Sequence, residues 1–298
     1  MILATDAELI DAIARAAPDF VVKSWSLLGE GWMSRALCVN DEWVARFAKS
    51  EDGSRDQAKE AEVLPLVAER VSLRVPRFEI VGKQRNGLSF VMYRLLPGEP
   101  MVSGPSELDE PTQERVAVQI ARLITELQSV PTAPLRSKGL PEADLHADVT
   151  EQHGAWHGLR SDLPQGVFDY VERRFQEYLA EPTFYREERR FIHADLSPDH
   201  WLFDAARGEL SGIIDFGDCE LCDPDYEYLY LLEDAGEAFT RRVLTLQGAP
   251  DIDARLCKLR YLVTFDHAQG VLASARYGKP EWRQECLEAL EAERLRAG

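Results

Sequence analysis

Hydrophobic positions recur along this chain with two periods, and the changes of period mark its elements. Leu9, Ile10, Ile13, Ala14 and Ala17 fall at helical spacing behind Thr5 or Asp6 as N-cap, which predicts a helix over residues 5–17. From Val21 the period becomes that of strands. Residues 21–28 and 36–39 flank Gly29-Glu30-Gly31-Trp32-Met33-Ser34, and residues 43–47 follow the turn Asn40-Asp41. A polar link over 49–57 leads into a helix over 56–70, and strands at 77–81 and 88–94 complete a mainly antiparallel sheet. After Gly98 the pattern turns helical: residues 112–130 carry Val116, Ile120, Leu123, Ile124 and Leu127 on one face and end before Pro131. Residues 131–165, rich in Pro, Gly and His, are expected to form a long loop with short helical pieces, with His153, Trp156 and His157 as loop packing rather than metal ligands. Residues 167–179 read as an amphipathic helix, 226–232 as the start of a buried one, and 252–273 and 281–295 as closing helices.

The densest chemistry lies at residues 191–218, FIHADLSPDHWLFDAARGELSGIIDFGD. Two short apolar runs, 190–192 and 211–214, lead to Asp195 and Asp215, and between them 201–203 and 209–213 read as a hairpin turned at 204–208. This predicts Asp195, His200 and Asp215 on one rim of one small sheet. Phosphoryl transfer needs such a set: a carboxylate that takes the attacking hydroxyl's proton, and ligands that hold magnesium on nucleotide phosphates. Upstream, the glycine hairpin could lay N–H groups of Gly29 and Gly31 over phosphates with the Ser34 hydroxyl beside them; taken alone it reads sooner as an ordinary hairpin turn. Residues 146–153, HADVTEQH, repeat the His-x-Asp-x4-His spelling, but no apolar run precedes them and no Asp-Phe-Gly follows, so they are set aside.

Bulk properties narrow the partners. With 45% hydrophobic and 29% charged residues, the 298-residue chain has the make-up of a globular protein with ample core. A net charge of −18 disfavours nucleic acid and anionic membrane as partners and suits a polycationic small molecule in an acidic site. The five scattered cysteines fit a reducing compartment, and Cys219-x-x-Cys222 lacks the second pair a zinc site would need. The N-terminal stretch is acidic and amphipathic, and no 18-residue apolar run exists, so the expectation is a soluble, cytoplasmic protein acting as a monomer.

His193-Ala194-Asp195 and Asp215-Phe216-Gly217-Asp218 resemble the catalytic and metal loops of the aminoglycoside phosphotransferase family, small-molecule kinases on the protein-kinase plan. The continuation through Asp223-Pro224-Asp225 to Leu231-Leu232-Glu233-Asp234 is most similar to the aminoglycoside 2''-phosphotransferase branch. Here His200 stands where the family has Asn, a feature similar to macrolide phosphotransferases. The resemblance is specific over 193–234, moderate over 29–60 and loose over 100–190. It implies an α+β, two-lobed protein-kinase-like fold: a nucleotide-binding N-terminal lobe (1–97, antiparallel sheet plus helix) and a mainly helical catalytic and substrate lobe (98–298). ATP or GTP would be the phosphate donor and Mg2+ the cofactor. By the same resemblance Asp195 is the catalytic base, Asp215 and His200 are metal ligands, and His193 braces the loop. Gly29, Gly31 and Ser34 form the nucleotide loop, and Arg46 grips phosphate with Lys49 in reserve. Glu60 either pairs with Arg46 or is a solvated surface glutamate beside Glu62. The backbone of Arg94 and Leu96 meets the nucleobase edge. Asp218, Glu233, Asp234, Glu237 and Trp282 are the substrate candidates for a cationic aminoglycoside. A macrolide or other alcohol kinase of the same plan, or a nucleotide-binding module without catalysis, are the alternatives.

Overall fold

The structure, a computed structural model, describes residues 5–297; the first four residues of the acidic N-terminal stretch lie outside them. In chain order the elements are α1 (Asp6–Ala16), β1 (Trp25–Glu30), β2 (Ser34–Val39), β3 (Trp43–Ala48), α2 (Glu51–Ala68), β4 (Ile80–Lys83), β5 (Ser89–Arg94), β6 (Glu99–Pro100), α3 (Glu110–Gln128), α4 (Thr132–Ser137) and α5 (Leu145–His157). There follow α6 (Gln165–Ala180), β7 (Arg190–Ile192), β8 (Trp201–Asp204), β9 (Glu209–Ile213), β10 (Glu220–Cys222), α7 (Leu229–Asp234), α8 (Glu237–Leu246), α9 (Ile252–Tyr277) and α10 (Pro280–Ala297). They form two compact units, residues 5–140 with 198–219 and residues 141–197 with 220–297. No helix among the described residues is long and apolar enough to cross a membrane.

The first unit is built on a five-stranded antiparallel sheet in the order β1-β2-β3-β5-β4. Strand β3 is buried at all six positions, because α1 and its neighbours cover one face and α2 the other. Leu9 and Ile13 of α1 pack with Leu37, Trp43, Phe47, Phe90 and Met92. Helix α2 starts at Glu51, five residues before the expected 56. Ser50 caps it by accepting the Gly53 N–H at 3.1 Å, and the buried face of its first turns carries Gly53, Gln57 and Glu60 rather than apolar residues, so no hydrophobic period marks its start. Gly53 is required there, since a Cβ would lie 2.5 Å from the Met33 carbonyl oxygen under the hairpin tip. The hairpin β8–β9 forms as expected and pairs with β6, while the Gln119 amide of α3 bonds both the Leu210 N–H and C=O.

The second unit is mainly helical. Phe175 of α6 stacks on Phe265 of α9, ring centroids 4.3 Å apart, over a core holding Trp156, Phe168 and Tyr178. Two expectations are revised here. The stretch 131–165 does hold short helical pieces between loops, but more helix than expected: beside the six-residue α4, Asp144 caps the thirteen-residue α5 through the N–H groups of His146 and Ala147, and Leu145, Val149 and Trp156 bury one thin face. Only three buried apolar residues in thirteen left a periodicity too sparse to read. Nor is there one small sheet at 190–222. Strand β7 pairs with β10, not with the β8–β9 hairpin, because Ile192, Phe191 and Arg190 register against Glu220, Leu221 and Cys222.

Candidate active site

Within the first unit, side chains distant in sequence converge on Arg46. From β3 its guanidinium donates to both carboxylate oxygens of Glu60 at 2.9 and 3.1 Å and to Asp215 Oδ1 at 3.1 Å. Glu60 is fully buried, so it is no surface glutamate. Burial pushes its carboxyl up to about 7 against the pull of Arg46. Burial also opposes the charge on Arg46, but Glu60 and Asp215 more than offset it and hold the guanidinium firmly protonated. The Gln57 amide, one turn before Glu60 on α2, donates to the Arg46 carbonyl at 3.1 Å and ties helix to strand.

Asp215 enters this group from a strained backbone, φ +65° and ψ 65° in the left-handed region, just after β9. Its Oδ2 lies 3.8 Å from His200 Nε2, and its side chain is 44% exposed, so one oxygen is committed to Arg46 and the other faces outward. Asp218 follows at the end of the Phe216–Asp218 turn. Asp56, one turn before Glu60, joins the group unforeseen. Its carboxyl is raised by burial and, against Lys59, by Asp218 and Asp215. The i, i+4 spacing to Glu60 was the available signal.

The glycine hairpin is open. A Cβ at Gly29 would touch nothing within 4 Å and one at Gly31 only the Ser34 carbonyl at 3.8 Å, so no protein neighbour excludes side chains there. Ser34 opens β2, and its carbonyl accepts the Gly31 N–H at 2.9 Å. Lys49 is engaged with Glu30 and the Gly31 carbonyl, at 3.2 and 3.0 Å, which takes it from phosphate duty to bracing the hairpin. At the end of β5 the Arg94 side chain lies over Trp43 and bonds Glu42. Among the described residues neither the N–H nor the C=O of Leu96 has a hydrogen-bond partner.

In the second unit the loop after β7 carries Asp195. Ala194 sits at φ +67°, and the Asp195 N–H points at His193 Nδ1, 3.3 Å away. Beneath it lies Glu227, fully buried, whose Oε2 accepts the N–H groups of His193 and Ala194 at 2.7 and 3.4 Å. With no cation beside it, burial pushes this carboxyl up to about 8. Sequence reading passed over Glu227; an acid inside the otherwise apolar run 226–232 was the signal.

The substrate candidates fare differently. Asp223 and Asp225 turn inward onto the buried ammonium of Lys258, at 2.5 and 3.1 Å, with Arg186 2.9 Å from Asp225. The Asp-Pro-Asp run is therefore interior scaffolding, not acidic surface. Glu233 is bound by His267 at 2.8 Å, and that imidazole is held between Glu233 and Glu293 with its pKa raised, against burial, to about 10. Glu237 is bound by Arg260 and Arg241 at 2.6 and 3.3 Å. Both carboxylates are thus already charge-paired within the unit. Asp234 is exposed at the end of α7, and the Trp282 ring on α10 lies tilted at 59° to that of Tyr277, centroids 6.3 Å apart. The same unit holds a cavity of about 540 Å³ lined by Asp148, Glu151, Glu220, Tyr226, Asp266 and Arg276, among others.

A profile of the phosphotransferase enzyme family matches residues 24–256. The chain is 35% identical to the GDP complex of wild-type aminoglycoside 2'-phosphotransferase-IIIa, with TM-score 0.95 over 99% of this chain and 100% of that one. It is 36% identical to the GDP and kanamycin complex of APH(2")-IIIa, with TM-score 0.92 over 96% and 98%. Macrolide 2'-phosphotransferase type I, at 20% identity and TM-score 0.76 over 97% and 99%, shares the fold. The α+β protein-kinase-like fold expected from the sequence is thus the one observed, and this chain belongs to the phosphotransferase enzyme family.

Proposed function

We propose that this protein transfers the γ-phosphoryl group of a nucleoside triphosphate to a hydroxyl of an aminoglycoside, as an antibiotic-resistance kinase working in the cytoplasm. The observation that carries the reading is the buried Arg46, held at once by Glu60 and by the metal-loop residue Asp215. A cation fixed by two carboxylates from separate elements is preorganised against phosphate charge, which is how phosphoryl transfer is catalysed. The GDP carried by the relatives at 35–36% identity favours a guanine nucleotide, and kanamycin in one of them supports the acceptor class.

In this reading Asp195 orients the acceptor hydroxyl and takes its proton, while His193 and Glu227 hold the loop. The hairpin bearing Gly29 and Gly31, closed by the Gly31 N–H on the Ser34 carbonyl, covers the phosphates with the Ser34 hydroxyl beside it, and Leu96 meets the base edge with its unpartnered backbone. Magnesium fits the outward oxygen of Asp215, a hard donor, better than the imidazole of His200, a softer one. When bound it supplies neutralisation of triphosphate charge. Asp148, Glu151 and Glu220, on the wall of the 540 Å³ cavity, offer the carboxylates for substrate ammonium groups, with exposed Asp234 beside Asp218 and Trp282 as further candidates.

His200 in the Asn position favours a second reading, a macrolide kinase of the same plan. Nucleotide consumption with magnesium, measured with kanamycin, gentamicin, a macrolide and a blank, using GTP and ATP in turn, separates the two. Turnover with the macrolide alone would overturn the aminoglycoside reading.

A further inference from the structure

The sharpest unassigned chemistry in the second unit lies where α5 packs on α6. His153 and His157, one helical turn apart on α5, both turn Nε2 towards the carboxylate of Glu172 on α6. His153 Nε2 is 3.0 Å from Glu172 Oε1, and His157 Nε2 is 3.6 Å from Oε2. No two of the three ligand atoms are more than 4.8 Å apart.

We infer that His153, His157 and Glu172 form a binding site for a divalent transition-metal ion of the zinc class, clamping α5 to α6. Three observations carry it. Ligands about 2.0–2.1 Å from one tetrahedral ion stand roughly 3.3 Å from each other, and the two N···O separations here, 3.0 and 3.6 Å, bracket that spacing. Second, Glu172 Oε2 is buried yet accepts no hydrogen bond among the described residues. A His153–Glu172 ion pair alone leaves that oxygen unsatisfied; an ion between the three groups satisfies it. Third, the site is already ordered. The Gln176 amide donates to Glu172 Oε1 at 2.6 Å, and the His153 ring stacks on Phe175 with centroids 5.1 Å apart. A hydrogen-bonded carboxylate and a packed imidazole are the outer support that orients metal ligands.

The donor set selects the ion. Two imidazole nitrogens and one carboxylate suit Zn2+, Ni2+ or Cu2+, and magnesium and calcium prefer all-oxygen shells. Binding displaces the proton that His153 shares with Glu172, leaving the ring's proton on Nδ1. His157 is half exposed, which gives an ion entry and a water the fourth position. The sequence reading took these histidines as loop packing because it expected only short helical pieces there, and the i, i+4 pairing needs the continuous helix Leu145–His157.

The test uses the full-length protein without nucleotide and titrates Zn2+ against a chromophoric chelator, with Co2+ as spectroscopic probe. Wild type is expected to bind one Zn2+ at this site with micromolar or tighter affinity. Co2+ should give the intense visible bands of a tetrahedral site. His157→Ala, a change at a half-exposed position that leaves the fold intact, should weaken Zn2+ at least tenfold and abolish the Co2+ bands. Glu172→Gln should do the same. His200→Ala, which removes the imidazole beside Asp215, and His146→Ala should leave both readings in place. Turnover with magnesium should be unchanged in His157→Ala. Wild-type affinity in His157→Ala and Glu172→Gln, binding lost instead in His200→Ala, or no Zn2+ binding tighter than 100 μM would each overturn the assignment.

Discussion

Glu60→Gln tests the energetic centre of the site. The substitution keeps shape and one acceptor oxygen but removes the charge facing Arg46 and turns an NH2 towards a guanidinium that can only donate. One of two charge-assisted hydrogen bonds, at 2.9 and 3.1 Å, is lost outright. Such a bond contributes about 1.5–3 kcal/mol, and breaking a buried pair by removing one partner costs about 3–5 kcal/mol. Two features pull the figure down. Glu60 is already raised to about 7 by burial, so part of its charge is lost near neutrality, and Arg46 retains Asp215. The expected loss is therefore about 2–4 kcal/mol, which lowers Tm by roughly 3–6 °C for a chain of this size. Turnover should fall by about ten- to a hundredfold as Arg46 loses its aim. Thermal and urea unfolding of Glu60→Gln, Arg46→Met and the double variant close the cycle. Arg46→Met strands the buried Glu60, so the double variant should be about 2 kcal/mol or more better than the sum of the singles. Additivity within about 0.5 kcal/mol, or wild-type turnover in Glu60→Gln, would refute the argument.

Four further outcomes are expected. Asp195→Asn should lower turnover by at least about a hundredfold with nucleotide affinity nearly unchanged by calorimetry; full activity would remove it as base. His200→Asn should keep activity with magnesium, since an amide oxygen is the harder donor; loss of activity and of metal dependence together would make the imidazole itself necessary. Glu227 titrates from 4.5 unfolded to about 8 folded, so the folded state holds a proton the unfolded state has released, and stability from this group falls as pH rises from 4.5 to 8. Glu227→Gln should remove that fall and gain on wild type from pH 5 to pH 8 in urea unfolding, and parallel pH profiles would refute it. In Asp148→Asn and Glu151→Gln the aminoglycoside KM should rise several-fold with little change in kcat, whereas Glu237→Gln should leave KM alone; the reverse pattern would return the substrate site to α8.

What the sequence made legible were features carried by local pattern. Period two over 36–39, 43–47 and 88–94 and the apolar faces on α3 and α6 read correctly because their signal lies within a few residues. What escaped depends on partners far away in the chain. Whether Glu60 is buried depends on Arg46, 14 residues before it, and Arg46 in turn is held by Asp215, 169 residues further along the chain from Arg46. The start of α2 escaped because the buried face of its first turns carries Gly53, Gln57 and Glu60 rather than apolar residues. Helix α5 escaped because its buried residues are too few to show a period.

The same distance effect decides which acids of this chain of net charge −18 can act on a cation. Read as letters, Asp223, Asp225, Glu233 and Glu237 are a concentrated negative run. In the fold each is paired: with Lys258, with Arg186 and Lys258, with His267, and with Arg260 and Arg241. A carboxylate whose charge is already compensated within 3.3 Å attracts a further ammonium group only by giving up that partner, at a cost comparable to what it gains. The cavity wall, by contrast, gathers Asp148, Glu151, Glu220 and Asp266 with Arg276, and this excess of carboxylates is what makes it the surface to test for cation recognition. The run that most invites a functional reading in the sequence is thus what stiffens the second unit, and the decoy copy of the catalytic motif, through Asp148, is what its cavity presents.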